Sequence, residues 1–230
     1  MIVLGLDASS DAVAVGLVSD GTLLCEYTIH NGKNHSLTLL SMVETMLAEV
    51  NMDFCDIDVY ACGVGPGSFT GVRIGAATVK AFAQAHKKPV VAVSSLAVLA
   101  ENLGGYDGLK VSAIHARVNE LYCAAFGPSG EEVLSPTVMT VEELIAYLSD
   151  KQCKIVGSGA IMFKEQFEEK LGKGAVAEAG RVHSICGGAV AELGYRLAIA
   201  GKEIPYGDLA PVYLRASQAE REYAEKHKAQ

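Results

Sequence analysis

The sequence predicts an α/β protein made from two consecutive units with the same order of elements, βββαβα. Three observations support this prediction. Each half of the 230-residue chain opens with three strand-like apolar runs, each half continues with helical and strand-like patterns in turn, and the polar, turn-forming segment GGYDG lies between them at residues 104–108. We therefore expect an N-terminal subdomain at residues 1–104, a C-terminal subdomain at residues 105–215 and a charged tail at residues 216–230.

The elements of the first half follow from its apolar patterns. Strands are predicted at IVLGLDAS, DAVAVGLVS, TLLCEYTI, DVYACGV and PVVAVSS. The Asp20-Gly21 pair between the second and third runs is typical of a hairpin turn. Helical patterns run from Ser36 to about Val50, from Gly71 to about His86 and onward from about Leu96.

The second half repeats this order. Strands are predicted at KVSAIHA, ELYCAAF, near EEVLSPTVM and at CKIVGSG. A helix starts after Thr140, which suits an N-cap, with Glu143 completing a capping box. Further helices are predicted at residues 160–171 and at about 182–201. This design is similar to the actin-like ATPase (ASKHA) type of fold, in which the cleft between the halves is the natural ligand position.

Composition and charge narrow the class of protein. Half of the residues are hydrophobic, a fifth are charged, and the net charge is −8 without any long run of Lys or Arg, so direct nucleic-acid binding is not expected. The N-terminus resembles a strand and not a secretory signal, and no apolar run reaches the ~18 residues that span a bilayer. The six cysteines form no CxxC pair, which indicates reduced thiols in a cytoplasmic protein and no zinc site.

The glycine-rich stretch GVGPGSFTGVRIG at residues 63–75 matches neither common phosphate-binding signature. It lacks the Gly-Lys-Ser/Thr ending of a P-loop, and Thr70 stands where the dinucleotide fingerprint needs its third glycine. We interpret it as a loop that starts the following helix, with Ser68 or Thr70 as the N-cap. The residues assigned to this role are Gly65, Pro66, Gly67, Ser68, Thr70 and Gly71.

Five segments together resemble the TsaB family. They are LGLDASSDAVAVGL at residues 4–17, His35-Ser36 before a helix, GPGSFTGVRIG, RVNELY at residues 117–122 and PVYLR at residues 211–215. The resemblance covers nearly the whole chain, and GPGSFTGVRIG is its most specific part. One position departs from the family pattern, because His115 stands where the family often has an acidic residue.

The resemblance implies a function in tRNA modification. Members of the family are non-catalytic subunits of the bacterial machinery that makes threonylcarbamoyladenosine at position 37 of tRNA. A member pairs with a homologous catalytic subunit, TsaD, and a small ATPase, TsaE, joins them. The expected partners are thus a TsaD-like subunit and a TsaE-like ATPase, with tRNA bound only indirectly, no membrane, no cofactor, and a homodimer when the chain is alone.

Two helices are predicted to form the partner surface. The first carries a wide apolar stripe that includes Met42, and the second is apolar nearly all round, which requires burial on nearly all sides. Burial within this one molecule is the alternative, and the family resemblance favours pairing with a partner. The predicted interface residues are Ser36, Leu39, Leu40, Val43, Met46, Leu47, Val72, Ala76, Ala77 and Lys80.

The sequence contains few residues in patterns that are typical of catalytic or metal sites. Asp7, Ser9 and Ser10 follow the first strand, where they predict an Asx-turn, with weak or vestigial nucleotide binding as the alternative. The corresponding alternative function is a stand-alone ATP-dependent phosphotransferase of actin-like fold. Ser68 lacks the G-x-S-x-G elbow of a hydrolase, so a protease is not expected. His30 and His35 are five residues apart, do not share a helix face and predict no metal site.

Overall fold

The computed structural model describes residues 1–30, 35–178 and 180–215, the side chains of residues 35–37 excepted. The side chain of Ser36, the side chain of His35 and the predicted tail at residues 216–230 lie outside the described residues. No helix in the described parts of the chain is long and apolar enough to cross a membrane.

The first sheet has five strands in the order β3-β2-β1-β4-β5. These strands are β1 Ile2–Asp7, β2 Ala12–Ser19, β3 Thr22–His30, β4 Val59–Gly63 and β5 Val90–Val93. The first three pair antiparallel, whereas β1, β4 and β5 run parallel. The carboxyl ends of the three parallel strands therefore meet at one edge of the sheet, where Asp7 ends β1.

Three helices follow in the first half, α1 His35–Glu49, α2 Phe69–His86 and α3 Ser95–Glu101. The first two contact each other and cover one face of the first sheet. Leu39, Val43 and Met46 recur at helical spacing in α1 and are buried against this face. The apolar stripe thus has an internal partner, the sheet itself.

The second sheet has four strands in the order β8-β7-β6-β9. Its strands are β6 Leu109–Arg117, β7 Glu120–Phe126, β8 Glu132–Thr140 and β9 Cys153–Val156, and its helices are α4 Val141–Leu148, α5 Ser158–Met162 and α6 Lys164–Leu171. Pro136, which cannot donate to a ladder, lies on the edge strand β8. Helix α3 bridges the two sheets, since the Ser112 hydroxyl on β6 donates to the Leu96 carbonyl over 2.6 Å.

The last helix, α7 Gly187–Ile199, returns to the first sheet and covers its second face. The approach is very close, because a Cβ on Gly187 would lie 1.9 Å from the Val15 carbonyl oxygen. With helices on both faces, β1 and β2 are buried along almost their whole length. After α7, Ile204 forms an isolated bridge with Val90 on the β5 edge.

This architecture confirms the predicted α/β fold with two sheets that each begin with three antiparallel strands, as in the actin-like type. The capping box of Thr140 and Glu143 is present at the start of α4. The helix predicted at residues 160–171 is divided at Phe163, whose φ of −110° and ψ of 24° interrupt the helical backbone. The segment predicted as one helix at residues 182–201 is a 3₁₀ turn, Gly180–His183, followed by the shorter α7. The division into subdomains at residues 104 and 105 stays a prediction.

Candidate functional site

Asp7 lies at the carboxyl edge of the first sheet within a buried hydrogen-bond network. The Ser9 backbone N–H donates to its Oδ1 over 2.6 Å, which forms the predicted Asx-turn. The Ser95 hydroxyl donates to its Oδ2 over 3.0 Å and lies 2.9 Å from the Ser9 hydroxyl. Asp7 and Ser95 are fully buried and Ser9 is 3% exposed. The carboxylate therefore joins the end of β1 to the start of α3.

Ser10 stands apart from this network. Its half-buried side chain makes a local turn with Ala12, accepting the Ala12 N–H over 3.2 Å and lying 3.3 Å from the Ala12 carbonyl oxygen. Of the three residues considered for nucleotide binding, Asp7 and Ser9 thus come together while Ser10 does not join them. Ser95 was missed by sequence reasoning, although Ser94-Ser95 follows its strand as Ser9-Ser10 follows β1.

The glycine loop seals the network from one side. A Cβ on Gly63 would lie 1.8 Å from Asp7 Oδ2, and a Cβ on Gly71 would lie 1.8 Å from the Ala8 carbonyl oxygen. The Ser68 backbone N–H donates to the Ser9 carbonyl over 2.7 Å. The backbone of β4 and of the glycine loop therefore packs directly against Asp7 and its neighbours.

The loop starts α2 in the way its composition suggests. The Ser68 side chain accepts the Gly71 N–H over 3.2 Å and so caps the helix, while Thr70 is exposed. The structure thereby selects Ser68 between the two predicted caps. Gly65 and Pro66 are buried, and the Gly65 carbonyl accepts the Ser95 N–H over 2.9 Å.

Burial dominates the electrostatics around this edge. Cys62, on β4, has its thiol pKa raised by burial and then by the neighbouring charge of Asp7. Burial also raises the pKa of the Tyr60 hydroxyl to about 12, with a smaller contribution from Cys55. Neither group is poised to exchange a proton near neutral pH.

Residues 209–215 cross from the first sheet to the second, and we name this segment the strap. Leu209 is buried in the core beneath α1 and α2, and the Val212 N–H donates to the Val64 carbonyl over 2.8 Å. At the far end, Arg215 forms an ion pair with Glu120 on β7. The PVYLR part of the strap therefore contacts both the glycine loop and the hairpin that contains RVNELY.

An aromatic cluster forms where the strap passes the start of α2. The rings of Phe69 and Tyr213 stack with centroids 4.4 Å apart and planes 5° apart. The Arg73 Nε donates to the Tyr213 hydroxyl over 2.8 Å, and its guanidinium lies 5.5 Å and 5.6 Å from the two ring centroids. These three residues, which we name the clasp, bring together two motifs 140 positions apart. Sequence reasoning missed the clasp because no local pattern links the motifs.

His115 takes part in closing the β6–β7 hairpin. Its Nε2 lies 3.2 Å from the Val118 carbonyl oxygen, which can only accept, so Nε2 carries the proton. Its backbone N–H donates to the Ser158 hydroxyl over 3.1 Å. The side chain at this unusual position therefore has a structural contact of its own.

The predicted interface residues divide by burial. Leu39, Val43, Met46, Leu47, Val72 and Ala76 are buried in the chain's own core. Leu40 is 46% exposed, Ala77 is exposed, and Lys80 is half-buried with its Nζ donating to the Gly207 carbonyl over 3.2 Å. In the isolated chain the buried residues pack the two helices onto their own core, and the exposed positions lie on its surface.

The exposed surface of the two helices contains small residues on α2 and mostly polar residues on α1. On α2 it consists of Thr70, Arg73, Ala77, Ala81, Gln84 and Ala85, and on α1 it consists of Leu40, Ser41, Glu44, Thr45, Ala48 and Glu49. We name these residues the helix surface. The composition of the second helix predicted burial on nearly all sides. Within this chain, however, one face of the helix is exposed. Small residues on its outer face allow another backbone to come close.

The described residues contain no group of three or more His, Cys, Asp or Glu side chains arranged to hold a metal ion. His30 is exposed at the end of β3. His183 is buried, where its Nδ1 accepts the Gly157 N–H over 3.2 Å and its Nε2 lies 2.8 Å from the Ala177 carbonyl oxygen. Both ring nitrogens are thus used in fold contacts.

Comparison with known proteins defines the class of protein. Residues 23–223 match the family model described as TsaD: tRNA N6-adenosine threonylcarbamoyltransferase. A solved structure described as YeaZ from Pseudomonas aeruginosa superimposes with a TM-score of 0.75 at 27% identity, covering 93% of this chain and 99% of that one. The class is therefore the threonylcarbamoyltransferase-like α/β proteins.

Two relatives identify the family within this class. The tRNA threonylcarbamoyladenosine biosynthesis protein TsaB of Bacillus subtilis is 30% identical over 99% of this chain and 100% of its own length. The TsaB protein of Escherichia coli is also 30% identical, over 95% of this chain and 96% of its own length. The chain belongs to the TsaB family of tRNA threonylcarbamoyladenosine biosynthesis proteins.

Proposed function

We propose that this chain is a non-catalytic scaffold that pairs, through the helix surface, with a TsaD-type catalytic subunit that modifies adenosine 37 of tRNA. The observation that carries the proposal is the exposed outer face of α1 and α2, where Leu40 and Ala77 face outward above a fully packed core. The family match supports a function in tRNA threonylcarbamoyladenosine biosynthesis, and the exposed face is the surface through which the chain would bind its partner. A helix with small outward residues can pack closely against a helix of a partner.

The polar groups at the carboxyl edge support the non-catalytic part of the proposal. Asp7 and Ser9 are buried, hydrogen-bonded to the chain itself and covered by the glycine loop. A catalytic carboxylate has to reach its substrate or a metal ion. The alternative, an ATP-dependent phosphotransferase, needs Asp7 near the phosphates, and this packing disfavours it.

Partners and location follow as further parts of the proposal. The net charge of −8 is unfavourable for phosphate binding, so tRNA is contacted indirectly, through the catalytic subunit. A TsaE-like ATPase completes the assembly in the cytoplasm. In the absence of the catalytic subunit, the same helix surface pairs two copies of this chain as a homodimer.

Size-exclusion chromatography with light scattering tests the proposal. The chain is measured alone and mixed with the TsaD-type subunit of its own organism. A peak with the mass of a heterodimer that replaces any homodimer is expected. A chain that stays monomeric in both runs contradicts the proposal, and ATP turnover by the wild type and by Asp7→Ala then becomes the next measurement.

A further inference from the structure

We propose that Arg73, held in place by the clasp, is the anchor for a carboxylate of the partner subunit. This inference rests on the proposed function, because it assigns the chemistry of one contact within the helix surface. It adds a residue that sequence reasoning did not include in the interface. The occupant is an Asp or Glu side chain of the TsaD-type subunit.

Arg73 already has contacts within its own chain before any partner binds. Its Nε donates to the Tyr213 hydroxyl, and its guanidinium lies against the stacked rings of Phe69 and Tyr213. Arginine on a protein surface otherwise loses much rotamer freedom when it binds. Here the strap and the start of α2 have restricted that freedom before any partner arrives.

The guanidinium of Arg73 has no acidic partner in the described parts of the chain. Arg196 pairs with Glu101 and Arg215 pairs with Glu120, but Arg73 forms no such ion pair. Its terminal nitrogens, Nη1 and Nη2, donate to no acceptor among the described residues. The exposed side chain therefore presents the two nitrogens that match the two oxygens of a carboxylate.

Arg73 lies on the same face of α2 as the other residues of the helix surface. Arg73 and Ala77 are four residues apart on α2 and share its outer face, so the anchor is continuous with the helix surface. Arginine and tyrosine are also the residue types that dominate binding energy in interfaces. On the α1 side, the same surface carries Glu44, whose negative charge opposes a polyanionic RNA strand more than a single carboxylate that pairs with Arg73. A protein carboxylate fits this surface better than a nucleic acid does.

The experiment measures the affinity of the full-length chain for the TsaD-type subunit by isothermal titration calorimetry. The ion pair between Arg73 and the partner's carboxylate becomes desolvated in the interface. Arg73→Ala should therefore weaken binding by about 30-fold or more. Arg73→Lys keeps the charge but not the planar fork, so its affinity should fall between those of wild type and Arg73→Ala. Tyr213→Phe keeps the ring stack and removes the hydroxyl, and about a threefold loss is expected.

Arg181→Ala is the matched control, because it removes the same charge from an exposed arginine on the turn Gly180–His183, which packs against α5. Its affinity should equal that of the wild type. Thermal unfolding of each variant alone shows whether the chain remains folded. To identify the acceptor, Arg73→Glu is combined with single Asp→Arg or Glu→Arg changes on the partner, and one pair should recover binding.

The outcomes separate this inference from the proposed function. If Ala77→Arg abolishes pairing while Arg73→Ala changes the affinity by less than about threefold, the anchor is wrong and the helix surface stands. If Ala77→Arg leaves pairing intact, the proposed helix surface is wrong. If Arg73→Ala pairs normally but the assembled complex loses tRNA binding, Arg73 contacts a phosphate and the carboxylate inference is overturned.

Discussion

The hydroxyl of Ser95 donates to the carboxylate of Asp7 across 3.0 Å, joining two residues that lie 88 positions apart in the chain. Ser95 opens α3, the helix that contacts the second sheet, whereas Asp7 ends the first strand of the first sheet. The buried carboxylate therefore connects the parts of the fold and has a structural role in this chain.

Removal of the Asp7 carboxylate should lower stability. Asp7→Ala leaves the Ser9 N–H and the Ser95 hydroxyl without their acceptor in a buried site, so the free energy of unfolding should fall by about 2–3 kcal/mol. Ser95→Ala should cost about 1–2 kcal/mol for the same reason. Urea unfolding measures both changes. Asp11→Ala, at an exposed position in the same hairpin, is the control and should unfold like the wild type.

A methyl group at Gly71 should disrupt the start of α2. Its Cβ would lie 1.8 Å from the Ala8 carbonyl oxygen, and a backbone atom cannot move away cheaply. We expect Gly71→Ala to cost about 3 kcal/mol or more, measured by chemical denaturation. At Gly104 the nearest atom is 3.7 Å away, so Gly104→Ala should be tolerated. Equal stability of the two variants would mean that the loop does not pack closely against β1.

Adjacent leucines on α1 should respond in opposite ways to a charge. Leu40 is 46% exposed and Leu39 is fully buried. Leu40→Glu should leave the chain folded and abolish pairing with the TsaD-type subunit, and Ala77→Arg should do the same from α2. Leu39→Glu should unfold the chain, because a buried charge without a partner is strongly unfavourable.

Circular dichroism and co-purification distinguish these results. A folded Leu40→Glu variant that still co-purifies with the catalytic subunit would count against the helix surface. A folded Leu39→Glu variant would show that α1 packs on the sheet less tightly than the structure indicates.

The stability of the chain should respond to pH through Glu192 on α7. Burial raises the pKa of its carboxyl above the ordinary value of 4.5, with Arg196 opposing the shift and Glu101 and Glu26 adding to it. Because the folded state holds this proton more tightly than the unfolded chain does, the free energy of unfolding falls as the pH rises through the raised pKa. Glu192→Gln stays neutral and avoids that loss.

This effect is measured by urea unfolding of both proteins at two pH values. At pH 7 we expect Glu192→Gln to be more stable than the wild type, by no more than about 0.5 kcal/mol, because solvent screens this half-buried carboxyl. Below about pH 4 the two should converge, because the glutamate is then protonated in both states. A difference that is the same at both pH values would exclude this carboxyl as its source.

Local patterns were sufficient to predict most of the secondary structure. Apolar alternation placed the strands, helical spacing placed α1 and α2, and the Thr140 and Glu143 pair marked the start of α4. One error lies where the backbone changes direction without a glycine or proline to mark it, and the other lies in the segment where a 3₁₀ turn precedes α7. At Phe163, for example, the helix breaks inside a segment whose side chains all suit a helix.

The candidate site was predictable in its parts and not in its arrangement. The glycine loop, the residues after β1 and the PVYLR segment were each recognised in sequence. That Gly63 makes room for Asp7, or that Tyr213 stacks on Phe69, depends on contacts between residues far apart in the chain. The apolar stripe of α1 likewise predicted that this helix packs against another surface. The structure shows that most of the stripe packs against the first sheet of the same chain.

The amino-acid order determines the strands, the helices, the helix caps and the family, because propensity, periodicity and motifs act over a few neighbouring residues. Tertiary packing decides which of these features face water. It returns α7 to the first sheet, closes Asp7 within its own network and leaves Arg73 and Ala77 on the outer face of α2. The reason is that burial depends on every element that packs against a residue, and the sequence around that residue does not contain this information.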